Sequence, residues 1–197
     1  MTLERNREET ERKILEAVGR LIAANGFEKV GVNAVAAESG LSKMLIYRYF
    51  DSLDGLLAAY IKRHDYWLNI DLEVPSNKEG VIPFVIGIYQ SQVEQLRSNI
   101  IMRRLLRWEL TVQNDMVIKI RARREERGTE MIRIVSNLIG KSENEIAPMA
   151  SLISASITYL VLLSDCCDIY NGISISSDNG WDAILHSIEE IVNTFIG

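Results

Sequence analysis

The stretch SGLSKMLIYRYFDSLDGLL, Ser39 to Leu57, holds an apolar and aromatic run, Lys43 to Phe50, with a charge-bearing residue toward each end. Read as a helix at about 100° per residue, it sorts into two faces. Ile46 centres the inner face, Phe50 joins it four residues on, and Ser42 and Tyr49 lie at its edges. The opposite centre falls between Met44 and Arg48, flanked by Tyr47 and Leu45, with Lys43 at the N-terminal end. The inner set is apolar, whereas the outer set mixes cations, a phenol and two apolar side chains. Periodicity leaves two readings of that outer face. It meets nucleic acid, or Met44 and Leu45 are buried against another part of the same chain.

Working outward, the flanking segments are also helical. A first helix is expected from about Glu8 to Asn25, with Ile14, Leu15, Val18, Leu21 and Ile22 on one stripe and Gly26 as its stop. Phe27 can fold back onto that stripe. A short second helix spans about Val32 to Ser39, closed by Gly40. Asp51-Ser52 ends the third, and a fourth runs from near Ser52 to about Leu68. Three short helices with a tight Gly-containing turn before the third match a helix-turn-helix. Its outer face suits DNA: Lys43 and Arg48 can bond phosphate or the guanine edge, and Tyr47 can donate to phosphate. Met44 and Leu45 can touch thymine methyls in the major groove.

The chain has 197 residues, 47% of them hydrophobic, with only three prolines, and strand signals are scarce. The net charge of −5 hides an asymmetry. Residues 1–66 balance ten Lys/Arg against ten Asp/Glu, while 67–197 hold twelve against seventeen. A nucleic-acid-binding first part is therefore compatible with an acidic whole. The stretch IDLEVPSNKEGVIP, with Pro75, Gly80 and Pro83, is the expected junction, giving domains 1–68 and 69–197. Beyond it, helices are expected over about Pro83–Arg97, Asn99–Val112 and Met116–Ile139, the last capped by Asp115. Ser142 with Glu145 forms a capping-box pattern for a helix to about Tyr170, with Pro148 predicting a kink or a later start. NGISISSDNG reads as a loop, and Trp181–Phe195 as the last helix.

Cys166 and Cys167 are the only cysteines, which points to a reducing compartment and two buried thiols. Asp165 and Asp168 lie beside them without a histidine, so no metal is expected. From Ile146 to Ser164 no residue is charged, a length close to that of a bilayer span. Pro148, four serines and Thr158 favour a core helix of a soluble, cytoplasmic protein over a membrane segment. The N-terminus is charged from its start and reads as carrying no signal peptide.

Val32 to Ile61, VNAVAAESGLSKMLIYRYFDSLDGLLAAYI, resembles the DNA-binding domain of TetR-family transcriptional regulators. That family has a helix ending Ala-x-x-Ala-Gly-Val-Ser, then Lys-Gly-Thr-Leu-Tyr-x-Tyr/His-Phe, then Ser-Lys-Glu-x-Leu-Leu. Here Ala36, Gly40, Ser42, Lys43, Tyr47, Tyr49, Phe50, Ser52, Leu56 and Leu57 stand in register, and Asn25-Gly26-Phe27 ends the preceding helix similarly. The resemblance covers about residues 8–62. It departs at Met44-Leu45, where the family has Gly-Thr, at Gly31 in place of a capping Thr, and at Leu53 in place of a Lys. Asn33 can substitute as a phosphate donor. The losses imply weaker electrostatic anchoring and a shallow salt dependence.

The resemblance implies an all-α fold of about nine helices: an N-terminal three-helix helix-turn-helix domain and a larger effector-binding, dimerisation domain. The DNA-contacting set would be Asn33, Ser42, Lys43, Met44, Leu45, Tyr47, Arg48 and Tyr49. Small residues at Ala147, Ser151, Ser154, Ala155 and Thr158 permit close helix approach. With Ile184, Ile188, Ile191 and Phe195 of the last helix they are candidates for a four-helix homodimer interface. Ordinary intrachain core is the other reading of both stripes. Polar or aromatic residues interrupting apolar helices, namely Tyr89, Gln92, Arg104, Trp108, Tyr159 and Asp165, are candidates for a small-molecule effector pocket. The basic run KIRARREERG, Lys119 to Gly128, reads as a solvated face.

No nucleophile elbow, phosphate loop or HExxH occurs, and the two histidines, His64 and His186, lack triad partners, so neither catalysis nor a cofactor is expected. The expected partners are double-stranded DNA at a near-palindromic operator, a second copy of the chain and an unidentified effector. The expected function is that of a ligand-released repressor. The alternative is a helical architectural or adaptor DNA-binding protein without an effector.

Overall fold

The computed structural model describes the backbone of residues 2–70 and 73–197, with side chains from residue 7. Ten α-helices follow in order: α1 (Thr2–Asn25), α2 (Val32–Ser39), α3 (Lys43–Phe50), α4 (Leu53–His64), α5 (Tyr66–Asn69), α6 (Val81–Ser98), α7 (Ile100–Thr111), α8 (Asp115–Ile139), α9 (Glu143–Leu163) and α10 (Asp178–Ile196). Short 3-10 turns sit at Phe27–Lys29 and Lys78–Gly80, and a two-stranded hairpin, β1 (Ile169–Tyr170) and β2 (Ile173–Ser174), precedes α10. The chain is thus all-α apart from that hairpin.

It divides into two compact units. The first comprises Met1–Asn69 and Ile100–Arg123, the second Ile70–Asn99 and Arg124–Gly197. The first segment ends at Asn69, and residues 100–123, which the sequence reading placed in the second domain, belong to the first unit.

In the first unit α1 buries Ile14, Ala17, Val18 and Ile22 against α2, α4 and α7, where Val35, Leu56, Ile61, Met102 and Leu105 meet them. Each such side chain contributes about 1.5–3 kcal/mol by leaving water. Phe27 does fold back: it is buried and stacks on Trp108 of α7, ring centroids 5.1 Å apart. Arg20 of α1 pairs with Glu38 of α2 at 2.5 Å. Arg104 of α7 donates to the carbonyl of Ile22 at 2.5 Å, a second donor beside Gly26 N–H at 2.9 Å in the last turn of α1.

Several boundaries differ from the sequence reading. The fourth helix does not reach Leu68. Asp65 leaves helical geometry, and its carboxylate accepts from the Leu68 backbone N–H, so it ends α4 and starts α5. Asn114, not Asp115, caps α8, its side-chain oxygen accepting from Val117 N–H at 2.9 Å. Pro148 does not delay α9, which is helical from Glu143. Pro148 is exposed, and the carbonyl it leaves without a helical donor can turn to water. The capping box is present, Glu145 accepting from both the backbone N–H and the hydroxyl of Ser142.

In the second unit α6 packs on α9 and α10. Val81, Val93, Leu96, Ile157, Val161, Trp181 and Val192 form its core. Residues 169–170, expected at the end of a helix, and 171–174, expected in a loop, form an antiparallel hairpin with Tyr170 opposite Ile173. Asn171 and Gly172 at the turn have φ of 49° and 81°, the left-handed pair that a two-residue hairpin requires. The helix expected to reach Tyr170 stops at Leu163, and the thiols beyond it are not buried: Cys166 is exposed and Cys167 half-buried. Nor is α9 a fully buried core helix. It is long and apolar enough to cross a membrane, yet only 22% of its most apolar stretch is buried.

Candidate nucleic-acid interface

The turn between α2 and α3 is built from Gly40, whose φ of 69° lets the chain reverse without a β-carbon clash, and from Ser42. The Ser42 hydroxyl accepts from Leu45 N–H at 3.3 Å and caps α3. α3 is thereby aimed with Lys43 at its first turn. Ile46 is fully buried and Phe50 nearly so, as the inner face requires. On the other side Lys43, Met44, Tyr47 and Arg48 are all exposed, Met44 at 77% and Tyr47 at 49%. Leu45 and Tyr49 are half-buried, at the edges of that surface.

Two apolar or amphipathic side chains and two cations therefore project together from one short helix. Met44 is not buried against another part of the first unit. Asn33, at the second position of α2, is exposed, and Gly31 caps that helix without a side-chain bond. Leu53, where a Lys is common in the resembled family, is half-buried and supplies no charge.

One neighbour of this face escaped the sequence reading. The Arg7 guanidinium lies 5.7 Å from the ring centroid of Tyr49, and Glu11 pairs with Arg7 at 3.3 Å. No local pattern announces a contact between residues 42 positions apart. Only the extension of α1 to Thr2, one and a half turns before the expected start, brings it there.

The candidate effector residues fall in both units. Arg104 and Trp108 belong to the first unit, where one donates to the last turn of α1 and the other stacks on Phe27. Tyr89, Gln92, Tyr159 and Asp165 belong to the second. Gln92 is buried, donating to the Ser154 carbonyl at 3.0 Å and the Thr158 hydroxyl at 3.1 Å, while the Ser154 hydroxyl donates back at 3.3 Å. Tyr89 is buried nearby on α6, and burial pushes its hydroxyl up to about 12. Tyr159 and Asp165 are exposed. The candidate dimer stripe also divides. Ser154, Thr158 and Ile188 face inward, Ser151, Ala155 and Ile191 are exposed, and Ile184 and Phe195 are half-buried.

Residues 14–60 match the family model described as bacterial regulatory proteins, tetR family. Two uncharacterized HTH-type transcriptional regulators of Mycobacterium tuberculosis, from two strains, are each 36% identical over 62 residues. That alignment covers 32% of this chain and 31% of each regulator, so the chain spans about a third of the length of the curated relatives it matches. Over 95% of both chains the fold resembles that of Salmonella enterica GusR, with a TM-score of 0.61 at 16% identity. Residues 14–60 are thus similar to the helix-turn-helix of the tetR family of bacterial regulatory proteins, and the likeness to GusR extends the fold over the rest of the chain.

Proposed function

We propose that the chain is a dimeric transcriptional repressor of the cytoplasm, bound to a near-palindromic operator and released by a small-molecule effector. The observation that carries this reading is the joint exposure of Lys43, Met44, Tyr47 and Arg48 on α3 opposite buried Ile46 and Phe50. A helix of eight residues fits the major groove, and two copies related by a dyad would set their recognition helices about 34 Å apart. Lys43 and Arg48 reach phosphates or guanine edges, Tyr47 donates to a phosphate, and Met44 with Leu45 meets thymine methyls. Asn33 adds a phosphate donor. Arg7, held over Tyr49, adds a cation beside the groove.

Effector binding is assigned to the second unit, at the α6–α9 contact. There the Gln92 amide bonds with Ser154 and Thr158 offer polar groups that a ligand can exchange among apolar walls. Release follows when the effector binds better to a state whose recognition-helix spacing no longer fits the operator.

The test is a titration of labelled DNA from the gene's own upstream region, at several salt concentrations, with the oligomeric state measured alongside. Specific binding is expected, with a shallow salt slope. Joint Lys43→Ala and Tyr47→Ala substitution should weaken it about a hundredfold or more, from about 1–3 kcal/mol per lost contact, without changing the dimer. No binding at low salt by a folded dimer sinks the proposal, and unchanged binding by the double variant refutes the assigned face. A thermal-shift screen of small apolar compounds addresses the effector.

A further inference from the structure

We propose that the β1–β2 hairpin is a clasp whose exposed apolar side chains pack against the second copy of the chain. This rests on the dimer reading above and adds to it a surface that helix stripes alone do not supply. Tyr170 and Ile173, cross-strand partners that share one face of the hairpin, are 39% and 38% exposed, two large apolar side chains on so small an element.

The hairpin is firmly mounted. Ile175 just beyond it is buried, and its N–H bonds the Asp168 carbonyl at 2.9 Å. The buried Trp181 indole donates to the Ile175 carbonyl at 2.8 Å. α10 begins so close beneath that a β-carbon on Gly180 would overlap the Ser174 carbonyl. A surface held this way loses little freedom on association, which favours binding.

Its occupant follows from continuity and charge. Tyr170 meets the Tyr159 ring edge-on at 6.0 Å, and Tyr159 continues an exposed α9 row with Leu152 and Ala155. Residues 146–164 and 169–177 contain no charged side chain, and the exposed Asp165 and Asp168 between them are the charges nearest in sequence to the row. In a two-fold interface the same patch lies on both sides, so a charged patch would repel itself near the axis. A charge-free apolar row avoids that and offers little to the electrostatic steering that selects a different partner.

Sedimentation analysis of the full chain across a wide concentration range tests this, comparing wild type, Tyr170→Ser/Ile173→Ser and Leu152→Glu. The clasp predicts a wild-type dimer whose dissociation constant rises about tenfold or more in the hairpin variant, with helical circular dichroism unchanged. Leu152→Glu should be monomeric. A wild type that stays monomeric at every concentration overturns the dimer reading and the clasp together. A dimer that the hairpin variant matches within twofold overturns the clasp alone. Should the hairpin variant lose helicity, a photo-crosslinker at Tyr170 decides: covalent dimers support the clasp, and a dimer without them, or products joining only other proteins, overturns it.

Discussion

Met44 is the residue that most distinguishes this recognition helix. An exposed methionine replaces a glycine that would let the backbone approach DNA, and Leu45 beside it turns half inward. Under the proposed function, this exchange would replace close backbone approach by a flexible apolar probe suited to thymine methyls. A different single side chain governs behaviour at alkaline pH. Burial pushes the Tyr89 hydroxyl from its ordinary 10.0 to about 12, so the folded chain holds that proton more tightly than the unfolded one. Stability from this difference is complete below about 10 and is lost as pH rises through about 12. Tyr60, raised likewise by burial, acts in the same direction. We expect the Tyr89→Phe variant to lose stability less steeply than wild type over that window in urea denaturation. Equal slopes would show that Tyr89 gains no protection from burial.

At the scale of elements, capping explains where the helices of the first unit begin. Ser52 accepts from Gly55 N–H at 2.9 Å and sets the corner by which α4 leaves α3. Ser52→Ala should cost about 1 kcal/mol of unfolding free energy, read by chemical denaturation, with the fold retained. The capping box at Ser142 and the stop at Gly40 were legible because capping chemistry is local. So was the buried Ile46–Phe50 face, since 3.6-residue periodicity needs no tertiary knowledge. The hairpin was not. Asn171-Gly172 is a strong turn signal, but strands of two residues have no room for alternation. Asp65 was missed because its break in α4–α5 depends on a carboxylate bonding a nearby backbone N–H rather than on a Gly or Pro. The Arg7–Tyr49 pair and the scattering of the effector candidates were illegible for a related reason. Contacts between distant segments leave no mark in either segment alone.

At the scale of the molecule, α7 joins α1–α5 in one compact unit although α6 separates them in the chain. A fragment ending at Asn69 would leave the Phe27 ring without Trp108 and the Ile22 carbonyl without Arg104. It should melt at a lower temperature than the full chain when followed by circular dichroism, and an equal or higher melting temperature would show that α7 lends the unit nothing. This arrangement also bears on how the protein is made. During synthesis the helix-turn-helix precedes α7 and has to wait for it. Until α7 has emerged, the nascent unit carries an uncovered Phe27 ring, a surface on which a chaperone can act.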